Sequence, residues 1–224
     1  MRPNIVRIKA VYNALEELGS EVVFVGGATV ALYADRPAIE VRPTDDVDIL
    51  VELLNYSDYS DIENKLRAKG FENDIDSGVI CRYRVNGVIV DVMPTEKNIL
   101  GFSNKWYPDG FRTAMNFKLD ENSVVRIFQP ACFIASKLEA FKGRGDNDGR
   151  LSSDFEDIIF VLNNRTSIWD EMDAAPEPLR NYLQNEFGKL LSHSYIFEWV
   201  GVHLDYNEQN RVTHIIGGLQ RSFG

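Results

Sequence analysis

At 224 residues the chain can bury one substantial core or two modest ones, and its 44% hydrophobic content places it among globular proteins. The 34 acidic against 24 basic residues leave a formal charge of −10, which argues against broad nonspecific adhesion to nucleic acid or an anionic membrane. No stretch approaches the roughly 18 apolar residues of a membrane span. Residues 1–10 lack a signal-type apolar core, and Cys81 and Cys132 show no metal-ligand spacing. A cytoplasmic protein with two reduced, structural thiols and no membrane association is therefore expected.

Ile5, Ile8, Val11, Leu15 and Leu18 recur at helical spacing and Gly19 follows, which predicts an amphipathic helix over 4–18. A buried strand over 21–25 comes next, and Gly26-Gly27 turns the chain into a short helix beginning near Ala28. Residues 35–43, with two prolines and two arginines, read as a loop. A second strand is expected over 46–53 and a surface helix over 57–69 capped by Gly70. Asn86-Gly87 between the apolar runs 79–85 and 88–93 is the composition of a two-residue type I′ hairpin. Its register sets Val85 opposite Val88 and Arg82 opposite Asp91. Strands near 113–119 and 123–128 complete the β signal. From Pro130 the period turns helical, with helices at about 130–142, 153–163, 176–192 and 208–220. The expected class is α/β (α+β): an α/β domain over 1–128 followed by an α-helical domain over 129–224.

Asp46 and Asp48 in Thr44-Asp45-Asp46-Val47-Asp48 share one face of their strand, with Cα atoms roughly 7 Å apart. A third carboxylate, Asp91, sits inside the apolar run 88–93. Three carboxylates on neighbouring strands form a set of hard oxygen ligands suited to Mg²⁺ held jointly by protein and triphosphate, the pattern of a metal-dependent nucleotidyltransferase. Gly26 and Gly27 would let the backbone approach phosphate. Each piece has a plainer alternative. Gly-Gly serves as a tight turn, Asp-x-Asp as a loop cap, and Asp91 as the partner of Arg82 in a cross-strand ion pair. Spacing alone makes Lys137 a solvated helix lysine, while Ser153-Asp154-Phe155-Glu156 reads as a capping box that accounts for Asp154. The charged linker 143–150 lacks the closing glutamate of an EF-hand, and His193, His203 and His214 have no ligand spacing. Trp106, Tyr107 and Phe111 around Pro108-Asp109-Gly110 could stack a base, with a turn folded on the core as the commoner use.

With Val25-Gly26-Gly27, Arg42-Pro43-Thr44-Asp45-Asp46-Val47-Asp48, Asp91, Lys137 and Ser153-Asp154-Phe155-Glu156-Asp157 in place, the chain resembles the DNA polymerase β-like nucleotidyltransferase superfamily. Within it the AbiEii-type family, which includes toxins of bacterial toxin–antitoxin systems, is the most similar. The resemblance spans about residues 22–160. It implies a mixed sheet flanked by helices and a helical domain closing an NTP cleft. It also implies metal-binding and catalytic roles for Asp46, Asp48 and Asp91, phosphate binding by Gly26 and Gly27, and nucleotide or triphosphate contacts from Lys137 and Asp154. Where many relatives have Gly-Ser, this chain has Gly27, which leaves the hydroxyl's task to backbone N–H groups or Thr29. Residues 28–45, between the glycines and Asp46, are also a longer stretch than in the most compact relatives. The expected activity is Mg²⁺-dependent transfer of NMP from an NTP to an acceptor hydroxyl with release of pyrophosphate. The resemblance points to RNA, in particular tRNA ends, as acceptor and to a protein antitoxin as partner; the net acidity points to a small hydroxylated acceptor. Arg42, Arg82, Arg84, Lys137, Lys142, Arg144 and Arg150 are the candidates to line a basic cleft for RNA. The alternative is a noncatalytic nucleotide- or partner-binding module of degenerate transferase fold.

Overall fold

The computed structural model describes residues 3–36, 41–53, 56–96, 100–101, 103–144 and 148–224. The expected loop at 35–43 and linker at 143–150 therefore lie in part outside the described residues. The chain separates into two compact units, one of residues 1–32 with 42–129 and the other of residues 33–41 with 130–224. Residues 33–41 thus join the helical unit, a placement that local composition does not encode. Hydrogen bonds from Asp35 and Arg36 N–H reach the Asn164 carbonyl, at 3.0 and 3.3 Å.

The first unit is built on a seven-stranded mixed sheet of order β3-β4-β5-β2-β1-β7-β6. The strands are β1 (Val22–Val25), β2 (Asp46–Val51), β3 (Glu72–Asn73), β4 (Arg82–Val85), β5 (Val88–Pro94), β6 (Met115–Lys118) and β7 (Val124–Ile127). β1 runs antiparallel to β2 and parallel to β7, while β2 and β5 are parallel. The central strands are the most apolar: all of β1 is buried, and Val47, Ile49 and Leu50 are fully excluded from solvent. Helix α1 (Pro3–Leu15) presents Ile8, Val11 and Leu15 as a buried stripe and packs on β2 and β5. A 3₁₀ turn over Glu16–Ser20 completes the segment expected to be one helix. Helices α2 (Tyr56–Ala68) and α3 (Tyr107–Arg112) belong to the same unit. In the β4–β5 hairpin, Asn86 and Gly87 have φ of 51° and 78°, as a type I′ turn requires, and Val85 faces Val88.

The second unit is helical: α4 (Pro130–Arg144), α5 (Ser153–Asn164), α6 (Ile168–Asp173), α7 (Glu177–Leu191), α8 (Ile196–Val202) and α9 (Arg211–Phe223). Helix α4 packs on α5, α6 and α7, and α9 packs on α5, α6, α7 and α8. Phe141, Phe155 and Trp199 form an aromatic cluster between α4, α5 and α8, with Trp199 edge-on to both phenyl rings and the two phenyl rings tilted to each other. Helices α6 and α8, of six and seven residues, are too short to carry a helical period and were not expected. Among the described residues no helix is long and apolar enough to cross a membrane.

Candidate functional site

Strand pairing gathers the site. In the parallel β2–β5 ladder Asp48 lies opposite Asp91, and in the antiparallel β4–β5 ladder Arg82 lies opposite Asp91. Asp46 shares the face of Asp48 because side chains alternate along a strand, so three carboxylates and one guanidinium occupy a single face. The intervening Val47 and Ile49 point the other way and have no exposure, which anchors the register: a one-residue slip would bury both aspartates.

Residue 48 also pairs with Val25, the last residue of β1, and Gly26 follows it in the chain. Gly26 has φ of +72°, and a Cβ there would lie 2.8 Å from Asp48 Cγ and nearer still to Oδ2. The chain after β1 therefore folds directly against the Asp48 carboxylate, an approach open only to glycine. The following segment, Gly27–Tyr33, is a 3₁₀ turn rather than an α-helix. Thr29 is fully buried in it, and its N–H and hydroxyl both donate to the Gly26 carbonyl, at 3.2 and 2.9 Å. The Thr29 hydroxyl thus locks the glycine turn through the Gly26 carbonyl.

Asn4 is a contributor that sequence reasoning missed. It is 3% exposed; its side-chain amide donates to the Arg42 carbonyl and its oxygen accepts from Thr44 N–H, both at 3.0 Å. Thr44 in turn donates to the Asp46 carbonyl at 3.0 Å. These bonds tether the approach to β2, and so fix where Asp46 emerges. The available signal was a polar residue on the apolar stripe of α1, four positions before Ile8.

Arg82 binds Asp91 through two parallel bonds, Nε to Oδ1 at 2.8 Å and Nη2 to Oδ2 at 2.7 Å. The same Nη2 lies 3.4 Å from Asp46 Oδ2. The hydrogen bonds to Asp91, with the charges of Asp91 and Asp46, hold this guanidinium still more firmly protonated, against a smaller opposing effect of burial. The cross-strand ion pair weighed as the plain explanation of Asp91 is therefore present. Nearby, burial first and then the Asp91 charge push the Cys81 thiol up to about 11, which fits a structural, unreactive cysteine.

The donor set suits Mg²⁺: three hard carboxylates on one face, two of which already share one positive nitrogen. Among the described residues no group of three or more His, Cys, Asp or Glu side chains is drawn together as a finished metal cluster, and Arg82 stands between Asp46 and Asp91.

The helical unit brings Lys137 and Asp154 together. Lys137 is 6% exposed, which overturns the solvated reading drawn from its spacing. Its ammonium pairs with Asp154 at 3.0 Å and Asp157 at 2.6 Å. Asp154 is also gripped by Arg144 through Nε at 2.8 Å and Nη2 at 3.0 Å. Burial favours neutral Lys137, yet the charges of Asp157 and Asp154 outweigh it and raise the lysine above its usual range. Burial likewise opposes ionised Asp154, but Arg144 and Lys137 prevail and hold it below the carboxylate range. The cap of α5 is also one residue earlier than expected: the Ser152 hydroxyl accepts from Phe155 N–H at 3.3 Å, and Asp154 serves the ion network.

Most of the basic set expected to line a cleft is neutralised locally. Arg82, Lys137 and Arg144 are paired as described; Arg84 pairs with Asp74, Lys142 with Glu139 and Glu186, and Arg150 with Asp148 and Glu198. Trp106 and Phe111 are buried, so these rings support the fold. His203 Nε2 lies 2.6 Å from the Gly149 carbonyl and His193 stacks on Trp199, which gives both packing roles. No protein-family model matches the sequence, and a search of curated proteins gives no match.

Proposed function

We propose that the chain is a Mg²⁺-dependent nucleotidyltransferase that moves NMP from an NTP to an acceptor hydroxyl, with Asp46, Asp48 and Asp91 as its metal-binding and catalytic carboxylates. The observation that carries this reading is the Asp48–Asp91 register with Asp46 on the same face, bounded by the Gly26 turn against Asp48. It agrees with the resemblance to the AbiEii-type, polymerase β-like sequences. Asp46, Asp48 and Asp91 would hold the ion, and the Gly26-Gly27 backbone N–H groups would meet the phosphates. When bound, a divalent cation neutralises charge on the triphosphate and orients it. Asp91 takes the proton of the acceptor hydroxyl as its oxygen attacks the α-phosphorus. The bond from that phosphorus to the bridging oxygen breaks, and pyrophosphate leaves.

Lys137 and Asp154 are proposed here as the framework of the helical unit, because each already has charged partners. The local pairing of the basic side chains favours a small hydroxylated acceptor over RNA or tRNA. A toxin role with a protein antitoxin rests on the resemblance alone. A second reading, a noncatalytic nucleotide-binding module, is favoured by one observation: the bidentate Arg82–Asp91 pair accounts for Asp91 without chemistry.

The test is transfer of label from each α-labelled NTP, with Mg²⁺, to total RNA, protein and a panel of hydroxylated compounds. Label in one fraction that falls at least about 100-fold in Asp46→Asn, the scale of losing a charge-stabilising group in a transition state, supports the transferase. Nucleotide binding without label in any fraction selects the binding module.

A further inference from the structure

We infer that Arg82 is an internal counter-cation of the carboxylate site, held between Asp91 and Asp46 until a divalent ion displaces it. The inference rests on the metal-site reading above and assigns a positioning residue to it. A surface arginine with a carboxylate neighbour has no such consequence, but three observations set Arg82 apart. Its guanidinium makes both fork bonds to Asp91, whose side chain is only 12% exposed. Its Nη2 reaches toward Asp46 as well, so one positive group spans two of the three carboxylates. And the strand register, not side-chain drift, puts it there: residue 82 pairs directly with residue 91, and residue 91 directly with residue 48.

Three like charges on one face repel and cost the fold unless a cation is present. A guanidinium on a neighbouring strand meets that need in the absence of metal. A divalent ion and the guanidinium then compete for the same Asp91 and Asp46 oxygens. Because Arg82 is 24% exposed in its side chain, it can withdraw to solvent, or to an incoming phosphate, without opening the core. The site is thereby gated by cation exchange: binding metal costs the release of Arg82, and removal of metal restores the pair.

The probe is Mn²⁺, followed by the EPR signal of the free ion in the absence of nucleotide, with wild type, Arg82→Gln, Arg82→Lys and Asp46→Asn. Arg82→Gln is expected to bind Mn²⁺ about tenfold more tightly than wild type, as follows if the Arg82-closed state holds about nine-tenths of the metal-free population. Its melting temperature should fall without metal and recover when Mn²⁺ is added, whereas Arg82→Lys, which keeps the charge but loses the fork to Asp91, should fall between wild type and Arg82→Gln in both. A purely structural Arg82 would lower stability without tightening metal binding. Equal Mn²⁺ affinity in wild type and Arg82→Gln, with loss in Asp46→Asn, overturns the exchange and leaves the metal site standing. Failure of all four proteins to bind Mn²⁺ overturns both. If Arg82→Gln does not fold, wild type suffices: the Arg82 Nε–H NMR signal should be exchange-protected without metal and lose that protection on titration with Mg²⁺. An unchanged signal at saturating Mg²⁺ sinks the exchange.

Discussion

At the residue scale the most constrained position is Gly26. A side chain there meets two penalties: left-handed backbone, about 1–2 kcal/mol for an L-residue, and collision with the Asp48 carboxylate. Gly26→Ala should therefore lower stability in urea by more than the backbone term alone. In an Asp48→Ala background the cost should shrink toward that term, because the carboxylate is gone and only the residue 48 Cβ, 3.1 Å away, still crowds the site; equal costs in both backgrounds would mean that the carboxylate is not what Gly26 accommodates. The role of Gly26 was legible in the sequence as a glycine between a strand and a turn. Its contact with Asp48 was not, since it depends on the β1–β2 register that no local pattern records. Lys137 was misjudged for a related reason. Helical spacing says which residues share a face, but only tertiary packing says whether that face meets water, and here Asp154 and Asp157 from α5 cover it.

At the element scale, that same network joins α4 to α5 and makes their packing pH-dependent. Asp154 is held below the ordinary carboxylate value of 3.8, so the unfolded chain binds its proton more readily than the folded one. Its contribution is present above about pH 4 and lost as pH falls further. Lys137 is raised above the ordinary 10.5, so its contribution is complete below that value and lost as pH rises beyond it. Melting temperature against pH should fall at both ends, and Asp154→Asn should weaken the acid limb; an unaltered acid limb would show that other carboxylates control it. Elements with a clear period or a hairpin dipeptide were legible, from the four-residue β1 to β5 and α9. The two-residue β3 and the six-residue α3 and α6 were not, because they hold too few residues for a period and owe their shape to what they pack on.

At the scale of the whole molecule, composition described the charge correctly but not its distribution. The net charge of −10 coexists with basic side chains that are mostly committed to carboxylates near them. Any RNA binding should accordingly release few counterions: a plot of log affinity against log salt should have a slope no steeper than about −1.4, the value for two phosphate contacts on a single strand. A slope several times steeper would require a basic surface that these pairs do not provide. The second unit resumes at Pro130, where the sequence period turns helical, whereas the assignment of Tyr33–Val41 to it has no counterpart in local composition. The backbone bonds of Asp35 and Arg36 go to Asn164, a partner far away in sequence.

The nearness of Gly26 to Asp48 also bears on how such a chain can diverge. Positions 26 and 48 form a locked pair in which any side chain at 26 competes for the space of the carboxylate at 48. A lineage that keeps the acid must keep the glycine, and a lineage that loses the acid is freed from only half of the constraint, since the positive φ remains. Drift at 48 should thus precede drift at 26, and the residues most readily admitted at 26 afterwards are Asn and Asp, which tolerate left-handed backbone.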